Sequence, residues 1–306
     1  MKKLSLLSLF FVALFAITSC KKEENNANPD NSSGGQLTVE KKQRSIFIDF
    51  TATWCGPCGQ WGIPNFKQGL QNGGDKVVGF AVHAAPPQTS ELVAYFNKPN
   101  NDTLFVAPLL NDLLANVNGL TLTGWPTLWL NNIKVSNNQT TIANEINSKS
   151  AQEPAAGVAL KVTRTSNGFT VETGTKFFKA DNGEYFHTVL VTEDDIINRQ
   201  NLSNPGSAAN YNNSFEHDHI TRGPAINSTD KTRPSTFGDG PIATGAVTEG
   251  KYVGKTYTFT STNFTNVPAG INVWTWNPAK SHVVVILWKK NANGKYDFVN
   301  IAQSSI

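Results

Sequence analysis

Two kinds of apolar spacing divide the chain. Between residues 37 and 153, short unbroken apolar runs alternate with stretches in which apolar residues recur every three or four positions. The run 45–51, Ser-Ile-Phe-Ile-Asp-Phe-Thr, has the length and composition of a buried strand. Residues 58–71 carry Trp61, Ile63, Phe66 and Leu70 at helical spacing, with Pro64 placed to kink that helix. The same reasoning predicts a second buried strand over 76–83, helices over 92–97 and 107–117, a strand over 127–130 and a last helix over 141–148. Strands alternating with helices in this way predict an α/β domain. After Pro154 the pattern becomes one of short alternating segments, at 158–163, 169–178, 185–192, 255–260, 271–276, 282–288 and 296–301. Turn sequences such as Asp181-Asn182-Gly183 separate most of them, which predicts an all-β sandwich over 154–306. Residues 198–214 are polar and poor in strand formers, and read as a long surface loop.

The first 36 residues lie outside both domains. Lys2 and Lys3 precede an apolar run over 4–17, too short to span a bilayer comfortably, so residues 1–19 read as a signal peptide. The run ends in Ile17-Thr18-Ser19-Cys20, which resembles the bacterial lipobox and implies lipidation of Cys20. The alternative is an ordinary signal peptide with a chance cysteine. Residues 20–36 are rich in Asn, Ser and Gly and read as a tether, which makes a lipid anchor at Cys20 the expected contact with the membrane. Within it, Lys22-Glu23-Glu24 resembles a surface-export signal of Bacteroidota lipoproteins. The formal net charge of +3 over 306 residues is spread thinly and excludes a nucleic-acid footprint.

Only Cys55 and Cys58 remain of the three cysteines, in Trp54-Cys55-Gly56-Pro57-Cys58 at a strand-to-helix junction. The amides and dipole of a helix start favour a Cys55 thiolate, and Cys58, one turn inward, is placed to close on it. A structural disulfide, or half of a zinc site, is the alternative. Zinc is disfavoured because no second cysteine pair exists and neither His83 nor His187 stands at ligand spacing, so no metal is expected.

The segment 49–58, DFTATWCGPC, strongly resembles the active-site strand and turn of the thioredoxin superfamily. That resemblance implies a thioredoxin-like fold for 37–153, catalytic roles for Cys55 and Cys58, a buried proton-exchanging acid at Asp49, and a cis proline at Pro126 in Gly124-Trp125-Pro126-Thr127. It further implies that Trp54, Gly56, Pro57, Trp125 and Thr127 contact the partner, and it calls for no cofactor. Trp125 departs from the usual smaller aliphatic residue, and Thr51 from a frequent aromatic. Gly56-Pro57 matches thioredoxin itself, which implies a potential around −270 mV. The whole mature chain resembles the twenty-eight-kilodalton outer membrane protein family of Bacteroidota, through VLVTEDDI at 189–196, HDHITR at 217–222 and DFVNIA at 297–302.

Two functions follow as expectations. One is a lipid-anchored thiol-disulfide oxidoreductase acting on exported proteins, at the cell surface or facing the periplasm. The other is a non-catalytic outer-membrane binding or assembly lipoprotein with a resting disulfide. Glu216, His217 and His219 are weighed as metal ligands and read instead as hydrogen-bonded residues fixing a loop. Trp274, Trp276 and Trp288 are weighed as a sugar platform, for which the sequence offers no support.

Overall fold

The computed structural model describes residues 35–87, 91–98, 101, 103–166, 168–204, 206–224, 236–238, 240–260 and 277–306. The expected signal peptide, Cys20, most of the tether, the strand at 271–276 and both Trp274 and Trp276 lie outside them. Residues Asn31–Ile306 belong to one compact unit.

Fifteen strands and four α-helices make up the described chain. The α/β part contains β1 (Ser45–Thr51), α1 (Ile63–Gly73), β2 (Val77–His83), α2 (Glu91–Phe96), α3 (Ala107–Asn116), β3 (Thr127–Leu130), β4 (Ile133–Val135) and α4 (Gln139–Ser150). The expected elements appear within a few residues of their predicted bounds. The short β4 is an addition, made possible by a tight turn in which Asn131 takes φ 56°, a left-handed conformation that asparagine tolerates. Thereafter come β5 (Ala156–Thr165), β6 (Gly168–Phe177), β7 (Asp181–Asn182), β8 (Glu184–Glu193), β9 (Ile196–Asn201), β10 (Tyr211–His217), β11 (Ile220–Pro224), β12 (Ala246–Val247), β13 (Tyr252–Thr260), β14 (Ser281–Lys290) and β15 (Tyr296–Ser305).

The fold is mostly β, with one large mixed sheet and few helices. That sheet has eight strands in the order β15-β14-β8-β11-β2-β1-β3-β4. It runs through the expected domain boundary at residue 154: β11 pairs in parallel with β2 at Ile220 and Ala81, and the His219 carbonyl accepts from the Ala81 amide at 2.8 Å. The later half therefore does not close on itself as a separate sandwich. Its β8, β11, β14 and β15 extend the sheet that β1 and β2 begin, because β2 offers an edge with apolar residues on both faces.

Alternation along β1 assigns the two faces. Ile46, Ile48 and Phe50 join one large apolar cluster with Leu109, Leu110 and Leu113 of α3 and with Leu190, Ile286 and Trp288. On the opposite face Phe47 packs with Phe66 of α1 and Ile142 and Ile146 of α4. At the far end of the sheet that face is covered by a second, three-stranded sheet, β13-β6-β5, through Phe169, Val171 and Phe259 against Val189, Val191 and Val283. A sandwich layer thus exists, but one of its walls is the shared sheet.

The expected surface loop at 198–214 is a second departure. Its ends are the antiparallel hairpin β9–β10, and Asn198, Gln200 and Asn201 are buried. Polar side chains carry no burial signal in a sequence, and Gln200 and Asn201 are buried against main-chain acceptors supplied from residue 52 onward.

Candidate functional site: a disulfide at the start of a helix

β1 ends at Thr51, and the chain turns so that the Cys55 amide donates to the Ala52 carbonyl at 3.1 Å. Cys55 and Cys58 are joined in a disulfide, and the Cys58 amide points at the Cys55 sulphur at 3.1 Å. Cys58 is fully buried and Cys55 is 5% exposed. The segment Cys58–Gly62 is a π-helical turn that passes into α1. The expected kink at Pro64 takes this form: proline has no amide to donate back to the preceding turn, so the hydrogen-bond ladder widens just before it. The Asn65 side chain instead donates to the Trp61 carbonyl at 2.7 Å.

Asp49 is fully buried in β1, and neither of its carboxylate oxygens has a hydrogen-bond partner among the described residues. Burial pushes its pKa up to about 8. It lies on the same face of β1 as Phe47, one pleat nearer the cysteines. Phe47 touches Phe66, with ring centroids 5.0 Å apart, so Asp49 sits beneath the beginning of the helical segment that Cys58 opens.

The Trp125–Pro126 bond is cis. A Cβ on Gly62 would stand 2.7 Å from the Pro126 side chain, so the helix start rests directly on that proline. Thr127 is buried, and its hydroxyl donates to the Gly124 carbonyl at 2.8 Å. Trp54 and Trp125 meet edge to face at 6.1 Å, and the Trp54 indole donates to the Ala85 carbonyl at 3.2 Å. Cys55, Cys58, Asp49, Trp54, Trp125, Pro126 and Thr127 therefore surround one helix start. Gly56 and Pro57 complete the turn.

Sequence reasoning missed the residues that arrive from β9. The Gln200 amide donates to the Cys55 carbonyl at 3.0 Å and the Ala52 carbonyl at 3.2 Å. The Asn201 amide donates to the Thr53 carbonyl at 2.8 Å, and its side chain to the Trp54 carbonyl at 3.0 Å. Ideal Cβ atoms on Gly56 and Gly59 would come within 2.1 Å of the Ser203 carbonyl and 2.5 Å of the Asn201 carbonyl. Glycine at both positions is what lets this segment lie on the turn.

Two buried histidines lie nearby. His83 pairs with Thr51 in the β1–β2 register, and its ring meets that of His217 edge to face at 5.4 Å. No ring nitrogen of either reaches a partner at hydrogen-bond geometry among the described residues, nor does the Thr51 hydroxyl. Burial pushes the His217 pKa down to about 3, aided by Lys67, with the Arg199 carbonyl and Asp218 pulling the other way. Burial and the neighbouring His217 and Arg222 hold His83 well below the usual imidazole value.

His219 does not join His217 at a common point: it faces Asp194, its Nδ1 3.4 Å from a carboxylate oxygen. Glu216 approaches Asp195 and Asp218 instead, at the surface. Trp288 is a core residue whose indole donates to the Thr188 hydroxyl at 2.9 Å.

No family model matches the chain. No curated protein matches it either. Among solved structures, the sporulation control protein Spo0M of Bacillus subtilis aligns over 50% of this chain and 48% of its own length, at 11% identity and a TM-score of 0.22. A penta-heme cytochrome c552 of Thermochromatium tepidum aligns over 50% and 40%, at 8% identity and a TM-score of 0.22. Alignment at that level carries no argument about fold or function.

Proposed function

We propose that the chain is a thiol-disulfide oxidoreductase with a thioredoxin-like redox site, anchored by lipid at Cys20 and acting on exported proteins. The observation that carries this reading is the Cys55–Cys58 disulfide at a helix start above a buried Asp49 that has no hydrogen-bond partner among the described residues. In the reduced form the Cys55 thiolate attacks a partner disulfide, forming a mixed disulfide and releasing one partner sulphur. Cys58 then gives its proton to the Asp49 carboxylate and attacks the Cys55 sulphur. The mixed disulfide breaks, the second partner sulphur leaves, and the partner departs as a dithiol after taking up two protons. Two electrons pass from the pair to the partner. A carboxyl near 8 is well matched to a thiol of ordinary acidity, which makes that proton exchange cheap in either direction.

The test is reduction of insulin by the purified protein, with titration against a glutathione buffer to obtain the potential. A value around −270 mV supports a reductase or isomerase. An inert Cys55 after reduction sinks the reading.

A second reading rests on the near-complete burial of Cys55 and on the pinning of its turn by Gln200 and Asn201. In it the disulfide is structural, and the protein is a binding or assembly lipoprotein of the outer membrane. Surface display favours this alternative, because a reductant outside the outer membrane has no obvious electron supply. Protease shaving of intact cells distinguishes the two locations, and mass spectrometry of the mature amino terminus tests lipidation of Cys20. No helix among the described residues is long and apolar enough to cross a membrane.

A further inference from the structure

The four successive carbonyls of residues 52 to 55 all accept hydrogen bonds from two residues of β9. Gln200 serves Ala52 and Cys55, and Asn201 serves Thr53 and Trp54. The Gln200 amide nitrogen also lies 3.1 Å from the Asn201 carbonyl. With three carbonyl oxygens around it, this end of the side chain has to be the NH₂ group, since an oxygen there would face only acceptors.

These bonds have an electrostatic consequence. Each carbonyl carries partial negative charge, and in a buried turn a free one opposes any anion close by. Two groups favour an anion at the Cys55 sulphur: the Cys58 amide at 3.1 Å and the start of the helix. Their effect survives only if the neighbouring carbonyls are satisfied and aimed elsewhere. Gln200 ties Ala52 and Cys55, which are the two ends of the turn closed by the Cys55 amide.

We infer that Gln200 and Asn201 are positioning residues of the dithiol, which keep the surroundings of the Cys55 sulphur rich in donors and so promote its thiolate form. The inference rests on the redox reading above and adds to it a contribution from the later half of the chain. The glycines of the turn acquire a reason as well. Gly56 and Gly59 admit residues 200–203 to contact distance, and a side chain at either would displace the residues that hold the carbonyls.

The test is the pH profile of Cys55 alkylation by iodoacetamide in the reduced full-length protein, read by mass spectrometry. In Gln200→Met the half-point of the profile moves to higher pH, and the rate at pH 7 falls about threefold, because the Ala52 and Cys55 carbonyls keep the Cys55 and Gly59 amides as donors and lose only the side-chain amide. Asn201→Ser keeps the main-chain bond to Thr53 and removes the amide on Trp54, so it moves the profile in the same direction by less. Thermal melting is measured on the same samples. A melting temperature that drops while the alkylation profile stays on the wild-type curve means a clamp that only stabilises, and overturns the inference. If Gln200→Met does not fold, Asn201→Ser decides, and an unmoved profile there overturns it equally. A wild-type Cys55 that never alkylates after reduction removes the redox reading and this inference together. An alkylating wild type with unmoved variants removes this inference alone.

Discussion

His187 and His217 are equally hidden from water, and burial drives both imidazoles down to about 3, yet they are built in opposite ways. His187, in β8, is held between hydroxyls: Thr175 lies 2.7 Å from its Nε2 and Tyr257 3.1 Å from its Nδ1. It belongs to the end of the shared sheet that β13-β6-β5 covers, where polar groups are paired across the layer. His217 and its neighbour His83 lie at the dithiol end, and their nitrogens, the Thr51 hydroxyl, the Asp49 carboxylate and the Gln200 Oε1 all lack a hydrogen-bond partner among the described residues. A buried polar atom left unpaired costs about 1–3 kcal/mol. One region has therefore minimised that cost and the other has accepted it, and the one that accepts it surrounds the cysteines. Polar groups kept against stability are what the proposed redox site would require.

The widest separation between the two regions is expected in activity. Cys55→Ser and Cys58→Ser should each lower insulin reduction by about a thousandfold or more, since neither exchange nor resolution proceeds without its sulphur. His187→Leu should leave the rate within about twofold of wild type. An equal loss from His187→Leu would erase the distinction between the ends.

Asp49 comes next. Its folded pKa of about 8 lies above the unfolded value of 3.8, so its stabilising effect is fully present below pH 3.8 and is lost as pH rises through 8. Asp49→Asn should raise stability at pH 8 by about 2–4 kcal/mol in urea unfolding, while slowing resolution of a mixed disulfide. A variant less stable at pH 8 would show that the carboxylate has a partner after all.

The histidines sharpen the contrast further. His187→Leu strands the Thr175 hydroxyl in the core and should cost about 2 kcal/mol at pH 7. His217→Leu strands no hydroxyl and should cost clearly less than His187→Leu at the same pH. Equal losses in denaturant titrations would mean that the two sites are paired alike.

A last effect, of similar size, lies in acid. A histidine depressed from 6.5 to about 3 contributes stability above pH 6.5 that is lost as pH falls towards 3, because the unfolded chain takes up the proton first. At pH 5, His217→Leu should therefore gain about 2 kcal/mol over wild type beyond any gain at pH 7. A gain independent of pH would show that His217 carries its proton in the fold.

Much of the dithiol end is local and could be read from the chain. β1 announces itself as an apolar run with strand length, and the flanking Ile48 and Phe50 make Asp49 a buried acid. Cys55 and Cys58 straddle the point where strand spacing gives way to helical spacing, and the four leucines of α3 declare its buried stripe. These features rest on contacts within a few residues or on alternation along one element, which a sequence displays directly.

Tertiary structure alone decided the rest. Nothing between residues 198 and 214 is apolar enough to predict burial, because Gln200 and Asn201 are held by carbonyls about 145 residues earlier, and a hydrogen bond between distant polar groups leaves no periodic trace. The joining of β11 to β2 is equally silent, since a strand buried on both faces reads the same whether its neighbour comes from its own half of the chain or the other. Local spacing thus determined the helices, the strands β1, β2, β3, β5, β6, β8, β13, β14 and β15, and the placing of the disulfide. Long-range pairing of backbone edges decided that the later half extends the first sheet, and that its β9 segment comes to rest on the cysteines.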